Sequence, residues 1–207
     1  MSLQIVEHHQ DSYTVIINGS DHVLTTVTAS GAKVERWVDK ILNTHRCRLH
    51  QLVVGLDCEW RPSYSPQQNP VAVLQICVGH RCLIFQLQHA DYTPQSLVDF
   101  LGDDRFTFVG AGVDGDAQRL QEDEELNVAN TLDLRHLAVE KLGRPDLRNA
   151  GLARLAEIVM DFRMHKPRRV TMSNWDQMYL TYDQISYACA DAFISFEIGR
   201  RLRFGVF

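Results

Sequence analysis

The sequence predicts an α/β domain: a mixed β-sheet flanked by helices, opened by an N-terminal β-hairpin and helix. Three observations predict it. Two alternating, β-branched runs surround Asn18-Gly19, strand-length apolar runs recur through residues 53–86, and strands then give way to stretches with helical periodicity. Strands first, then strands mixed with helices, is the order of a mixed sheet.

Each element has a local reason. "SYTVIINGSDHVLTTVT" is a hairpin around Asn-Gly, the dipeptide that suits a two-residue turn with positive φ. Ser30 can cap a helix that carries Val34, Trp37, Val38, Ile41 and Leu42 on one face. "VVGLDCEW", residues 53–60, reads as a buried strand. A loop rich in Pro, Ser, Gln and Asn (62–70) leads into "VAVLQICV" and "RCLIFQL", a second hairpin turning at Gly79-His80. "RFTFVGAGV" is another buried strand, running into a helix from about Asp116 to Gln121. A short strand near "TLDL" precedes the helical stretches "RHLAVEKLG" and "GLARLAEIV". The basic loop "DFRMHKPRRVTMSNWD" leads to a long helix from about Tyr182 to Leu202, where Thr181 and Gln184 form a capping-box pattern. No repeat or linker interrupts the chain, so residues 1–207 are expected to form a single domain, with the hairpin and helix of residues 1–49 integrated into it.

Composition narrows the function classes. With 207 residues the chain can bury one full core, and 45% hydrophobic with 23% charged residues fits a soluble globular protein. No run approaches the roughly 18 apolar residues of a membrane span, so no membrane partner is expected. The first residues lack the basic start and apolar centre of a signal peptide. Five cysteines, an odd number set mostly in apolar segments, read as reduced core thiols. The expected location is the cytoplasm, with the nucleus open. A net charge of −5 argues against coating of nucleic acid by bulk electrostatics but leaves room for a local basic face.

The acids carry the chemistry. Side chains two apart on a strand share a face, so Asp57 and Glu59 project together near the end of theirs. Adjacent carboxylates repel unless a cation lies between them, and hard divalent cations take oxygen ligands. The competing reading pairs one acid with an arginine and turns the other to solvent. Asp116 stands where a strand passes into a helix, with Gly110, Gly112 and Gly115 keeping the turn slim. It could instead merely complement the helix dipole, with Asp114 as the cap. Tyr187 and Asp191 are four apart on one face of a helix that is apolar on most sides, so the acid needs a partner. Alone, Tyr187 would be a core tyrosine with one hydrogen bond.

"GLDCEW", "FVGAGVDGDAQRL" and "SNWDQMYLTYDQISYACADAF", in this order and spacing, resemble the three exonuclease motifs of the DnaQ-like superfamily. The closing YxxxD is similar to the tyrosine subclass of the DEDD exonucleases, in the branch of the Werner-syndrome exonuclease. The histidine subclass carries a histidine five before the final acid, where this chain has Ser186. Length and the N-terminal hairpin-plus-helix further resemble the plant RISC-interacting clearing 3'–5' exoribonucleases.

The resemblance implies a ribonuclease H-like fold and a metal-dependent 3'–5' exoribonuclease that shortens single-stranded RNA to 5'-mononucleotides. Asp57, Glu59, Asp116 and Asp191 become ligands of two Mg²⁺ or Mn²⁺ ions, with Asp57 shared between them. Tyr187 becomes the residue that orients the attacking water. Cys58 and Trp60 beside the acids, and Lys166, Arg168 and Arg169 in the basic loop, are the expected nucleic-acid contacts, although such a loop can also be merely solvated. The plant relatives further imply a ring-like homo-oligomer, such as a hexamer, and an Argonaute or RISC partner. The helix around Trp37 and the end "RLRFGVF" are the candidate interface segments. Two alternatives remain beside this reading: a DNA exonuclease of the same mechanism, and a non-catalytic nucleic-acid or Argonaute-binding module.

Overall fold

The structure is a computed structural model that describes residues 2–9 and 11–205. Among these residues, eight strands form one mixed sheet: β1 (Leu3–His9), β2 (Ser12–Ile17), β3 (Asp21–Thr28), β4 (Val53–Trp60), β5 (Val71–Val78), β6 (Arg81–Gln86), β7 (Thr107–Gly110) and β8 (Thr131–Asp133). Their spatial order is β1-β2-β3-β6-β5-β4-β7-β8. The two expected hairpins are antiparallel pairs, β2–β3 and β5–β6, whereas β3–β6, β4–β7 and β7–β8 are parallel. Asn18 and Gly19 both take positive φ at the first turn, as the dipeptide requires. The N-terminal hairpin therefore extends the same sheet rather than standing apart from it.

Helices cover both faces. Against one pack α1 (Gly31–His45), α2 (Gln95–Leu101) and α3 (Val113–Glu124), whose Val34, Val38, Phe100 and Leu120 share a core with Val54, Leu56 and Cys58 of β4. The other face carries α4 (Leu134–Leu142), α5 (Leu152–Met160), α6 (Arg168–Thr171) and α7 (Tyr182–Phe204). β5 lies between these layers and is buried at all eight positions, which is why its sequence is an almost unbroken apolar run. Among the described residues, no helix is long and apolar enough to cross a membrane.

Two expectations need correction, and part of a third lies outside the described residues. The helix after β7 begins at Val113, not Asp116, because Gly112 enters the left-handed region (φ 98°) and turns the chain there. Trp37 is 7% exposed and packs edge-on against Phe100, so its ring belongs to the core and is not one of the exposed apolar contacts expected around it on α1. Of "RLRFGVF", Val206 and Phe207 lie outside the described residues. Strand β1 and helix α2 were not expected. β1 is half polar and mostly exposed, and α2 spans seven residues, too few for a periodic signal.

Candidate active site

Three of the predicted acids converge. Asp57 and Glu59 leave the end of β4 on the face that meets α7, and Asp191 comes from the second turn of that helix's buried stretch. One carboxylate oxygen from each lies within 4.8 Å of the others. Close backbone approach makes this possible. A Cβ on Gly55 would stand 2.0 Å from the carbonyl oxygen of Ala192, so only glycine lets α7 lie this near β4. The capping box is present too: Thr181 Oγ1 accepts from the Gln184 backbone N–H, and the Gln184 side chain accepts from the Thr181 N–H. It fixes the start of α7, and with it the height of Tyr187 and Asp191.

Charge at this point is poorly compensated by protein. Among the described residues, neither Asp57 nor Glu59 forms an ion pair. Burial, and then the neighbouring carboxylates, hold both well above the ordinary carboxylate range. Asp116, on the first turn of α3, stands outside the triad of converging oxygens but near enough to repel Asp57. Burial pushes it up to about 7, against the pull of Arg119 and Arg135. Asp191 is 1% exposed; burial raises it, while Lys166 and the Tyr187 hydroxyl draw it back. Lys166 Nζ sits 2.5 Å from Asp191 Oδ2, yet among the described residues the buried Asp191 Oδ1 has no hydrogen-bond partner. An unpaired buried carboxylate oxygen is costly and marks a place for a cation or donor.

Tyr187 is 7% exposed, one turn before Asp191, and packs against Trp175. Burial and three nearby carboxylates push its hydroxyl far above its ordinary value, so it remains protonated and can donate. A core tyrosine would not need three acids around it.

The expected nucleic-acid contacts separate. Lys166 reaches the site, touching Asp191 and lying 5.3 Å from the Tyr187 ring centre. Arg168 begins α6 on the surface, and Arg169 pairs with Asp183 at 2.9 Å. Cys58 needs correction: its side chain is in the core on the opposite face of β4, so only its backbone faces the site. Strand alternation already says this, since Cys58 lies between Asp57 and Glu59. Trp60 holds the Arg119 guanidinium 4.0 Å from its ring centre, so one ring face is taken from any base. That arginine was missed at the sequence level, although it stands three residues after Asp116 on the same helix face. A cavity of about 410 Å³ runs from Glu59 and Trp60 along the loop 62–68 to Thr171 and Met172, room for one nucleotide unit beside the acids.

The family model for 3'–5' exonuclease matches residues 26–204. A 3'–5' exonuclease of Arabidopsis thaliana is 35% identical over 167 residues, covering 79% of this chain and 57% of that protein. Exonuclease 3'-5' domain-containing protein 2 of Drosophila melanogaster is 36% identical over 169 residues, covering 81% of this chain and 28% of that protein. The chain thus spans less than two thirds of either relative. Among solved structures, the EXD2 exonuclease domain soaked in Mg is 30% identical over 87% of this chain and 89% of its own, with a TM-score of 0.51. Escherichia coli RNase D, an exoribonuclease, superposes with a TM-score of 0.71 over 87% of this chain and 44% of its own. At 17% identity that likeness speaks for the fold alone.

Proposed function

This chain belongs to the 3'–5' exonuclease family, and we propose that it removes 5'-mononucleotides from the 3' end of single-stranded RNA. The observation that carries the nuclease chemistry in this reading is the convergence of Asp57, Glu59 and Asp191 within 4.8 Å around an unpartnered carboxylate oxygen. An all-oxygen, carboxylate-rich donor set suits Mg²⁺ or Mn²⁺ rather than a softer metal. The EXD2 exonuclease domain, a relative of the same family, has been soaked with both.

Asp57, Glu59 and Asp191 would hold one divalent cation, and Asp57 with Asp116 a second. Such ions supply a nucleophilic hydroxide at neutral pH and counter-charge for the leaving oxygen. The remaining work falls to the chain itself. The Tyr187 hydroxyl, kept protonated, orients the attacking water toward the phosphorus. Lys166 brings a positive charge to the same point, able to exchange Asp191 for a phosphate oxygen. Asp191 is buried and Asp57 and Glu59 are half-buried, which limits bulk water at this point and strengthens each of these interactions.

RNA as substrate rests on the resemblance to the plant exoribonucleases, as do an Argonaute partner and a hexameric ring; a cytoplasmic site of action rests on the cysteine pattern and on first residues unlike a signal peptide. Exposed Met178, Tyr179 and Tyr182 line one shallow cavity with Tyr13, and are the surface on which a second copy would sit. Light scattering tests the ring: a species of only 23.7 kDa at micromolar concentration would sink it. The activity is tested with 5'-labelled RNA and DNA strands in Mg²⁺, in Mn²⁺ and in EDTA. Stepwise shortening of RNA from the 3' end, faster than of DNA and stopped by EDTA, is expected. No shortening of either strand would sink the enzyme.

A further inference from the structure

A second cavity, of about 410 Å³, lies on the other face of the sheet between α1 and the first three strands. Its chemistry is the reverse of the active site's. Lys33, Arg36 and Lys40 follow one another at spacings of three and four along α1, so they form one stripe, and Arg81 faces them from the start of β6. Asp11 is the one acid in the lining, and Lys33 occupies it. Among the described residues, Arg36, Lys40 and Arg81 form no ion pair. In a chain of net charge −5, three unpaired cations around one cavity are not what average composition would place there.

A second observation points the same way. Trp37, between these cations on α1, also lines the cavity, and among the described residues its buried indole N–H has no acceptor. A buried donor left unpaired in a folded chain calls for an explanation, and an acceptor entering beside it is one. Every unspent polar group named here is a donor or a cation. The complement is an anion with several acceptor oxygens, and two guanidinium groups favour the planar oxygen pairs of a phosphate.

We infer that this cavity binds the phosphate of a nucleotide, away from the carboxylate site. The choice of a nucleotide rests on the exonuclease reading above; the anion preference does not. The phosphate has two sources: the 5' part of a strand whose 3' end is being shortened, or a free 5'-mononucleotide. In either case the acidic site gains a basic surface beyond the Lys166 and Arg119 beside it, and contacts spread over several cations weaken together with salt.

The test uses full-length Asp57→Ala protein in EDTA, which removes the contribution of the carboxylate site. The probes are a fluorescent single strand of about 12 nucleotides, followed by anisotropy, and AMP, followed by calorimetry. Combined Arg36→Glu, Lys40→Glu and Arg81→Glu is expected to weaken at least one probe tenfold or more. Weakening of the strand alone assigns the site to the strand; weakening of AMP as well assigns it to the nucleotide unit. Lys40→Gln, on an exposed position that cannot unfold the core, should weaken the same probe about threefold, with a shallower salt dependence of about one counterion. If the triple variant weakens neither probe as much as threefold, the inference is overturned. Shortening of a dinucleotide in Mg²⁺ by otherwise wild-type protein carrying the triple change should be unaltered, so loss of that activity in wild type would count against the exonuclease reading instead.

Discussion

Asp133 and Asp191 are buried alike, at 2% and 1% exposure, near the same edge of the sheet, yet the chain treats them oppositely. Asp133 ends β8, caps α4 and accepts from the Arg135 and Gly112 backbone N–H groups and from the Arg135 guanidinium. Burial alone would raise its carboxyl, but the Arg135 hydrogen bonds hold it below the ordinary range. Asp191 keeps one oxygen unpartnered among other raised acids. Burial of an acid therefore does not mark a site; an unsettled count of its hydrogen bonds does. Asp133 is structural because everything it can accept is already supplied.

The largest expected effect separates the two clusters by function. Asp57→Ala should abolish Mg²⁺-dependent shortening of RNA while the protein stays folded. Turnover near that of wild type would remove the mechanism. Tyr187→Phe comes next. It keeps the ring against Trp175 and loses one contact to the nucleophile, so turnover should fall by about 10²–10³ with Mn²⁺ affinity nearly unchanged. Unchanged turnover would return Tyr187 to the core.

At Asp133 the effect should be on stability instead. Asp133→Ala removes an N-cap and several charge-assisted hydrogen bonds, worth about 2–3 kcal/mol together. Denaturant unfolding should show that loss, and the folded fraction should still cleave RNA. Loss of activity without loss of stability would blur the distinction.

The smallest effect has the most informative sign. The raised carboxyls around Asp57 bind more protons folded than unfolded, so without metal their contribution to stability is full below about pH 4. It should decline as pH rises toward about 7, where Asp116 loses its proton. Asp133, with its lowered carboxyl, contributes above about pH 4 and loses that contribution as pH falls. Glu59→Gln should therefore stabilise the metal-free protein at pH 7.5 by about 1 kcal/mol, and shrink the rise in Tm on adding Mg²⁺. A drop in Tm in EDTA would show that Glu59 is satisfied by protein after all.

Much of this was legible from residue order. The site acids stood out because Val53, Val54 and Leu56 announce burial immediately before two charges. The two hairpins were legible because Asn18-Gly19 and Gly79-His80 interrupt β-branched runs. Asp133 was not singled out: "TLDL" reads only as a short strand, and its arginine partner is recognised once the helix start is placed. The Lys166–Asp191 contact and the Arg119–Trp60 stack join residues far apart in the chain, which no local period encodes. Likewise the basic cavity needs Arg81 brought beside α1, a product of sheet order. Cys58 is different: strand alternation alone turns its side chain away from Asp57 and Glu59 and into the core.

Gly55 touches neither cation nor substrate and carries no charge, yet it sets the gap between β4 and α7. For anyone interpreting variants of this chain, that inverts the usual ranking by chemical severity. Addition of a single methyl group at residue 55 must push the helix bearing Tyr187 and Asp191 away from the strand bearing Asp57 and Glu59. Every motif would survive in the written sequence, and a screen for lost acids would pass the variant as harmless. Its damage would be purely metric: the right ligands, held too far apart.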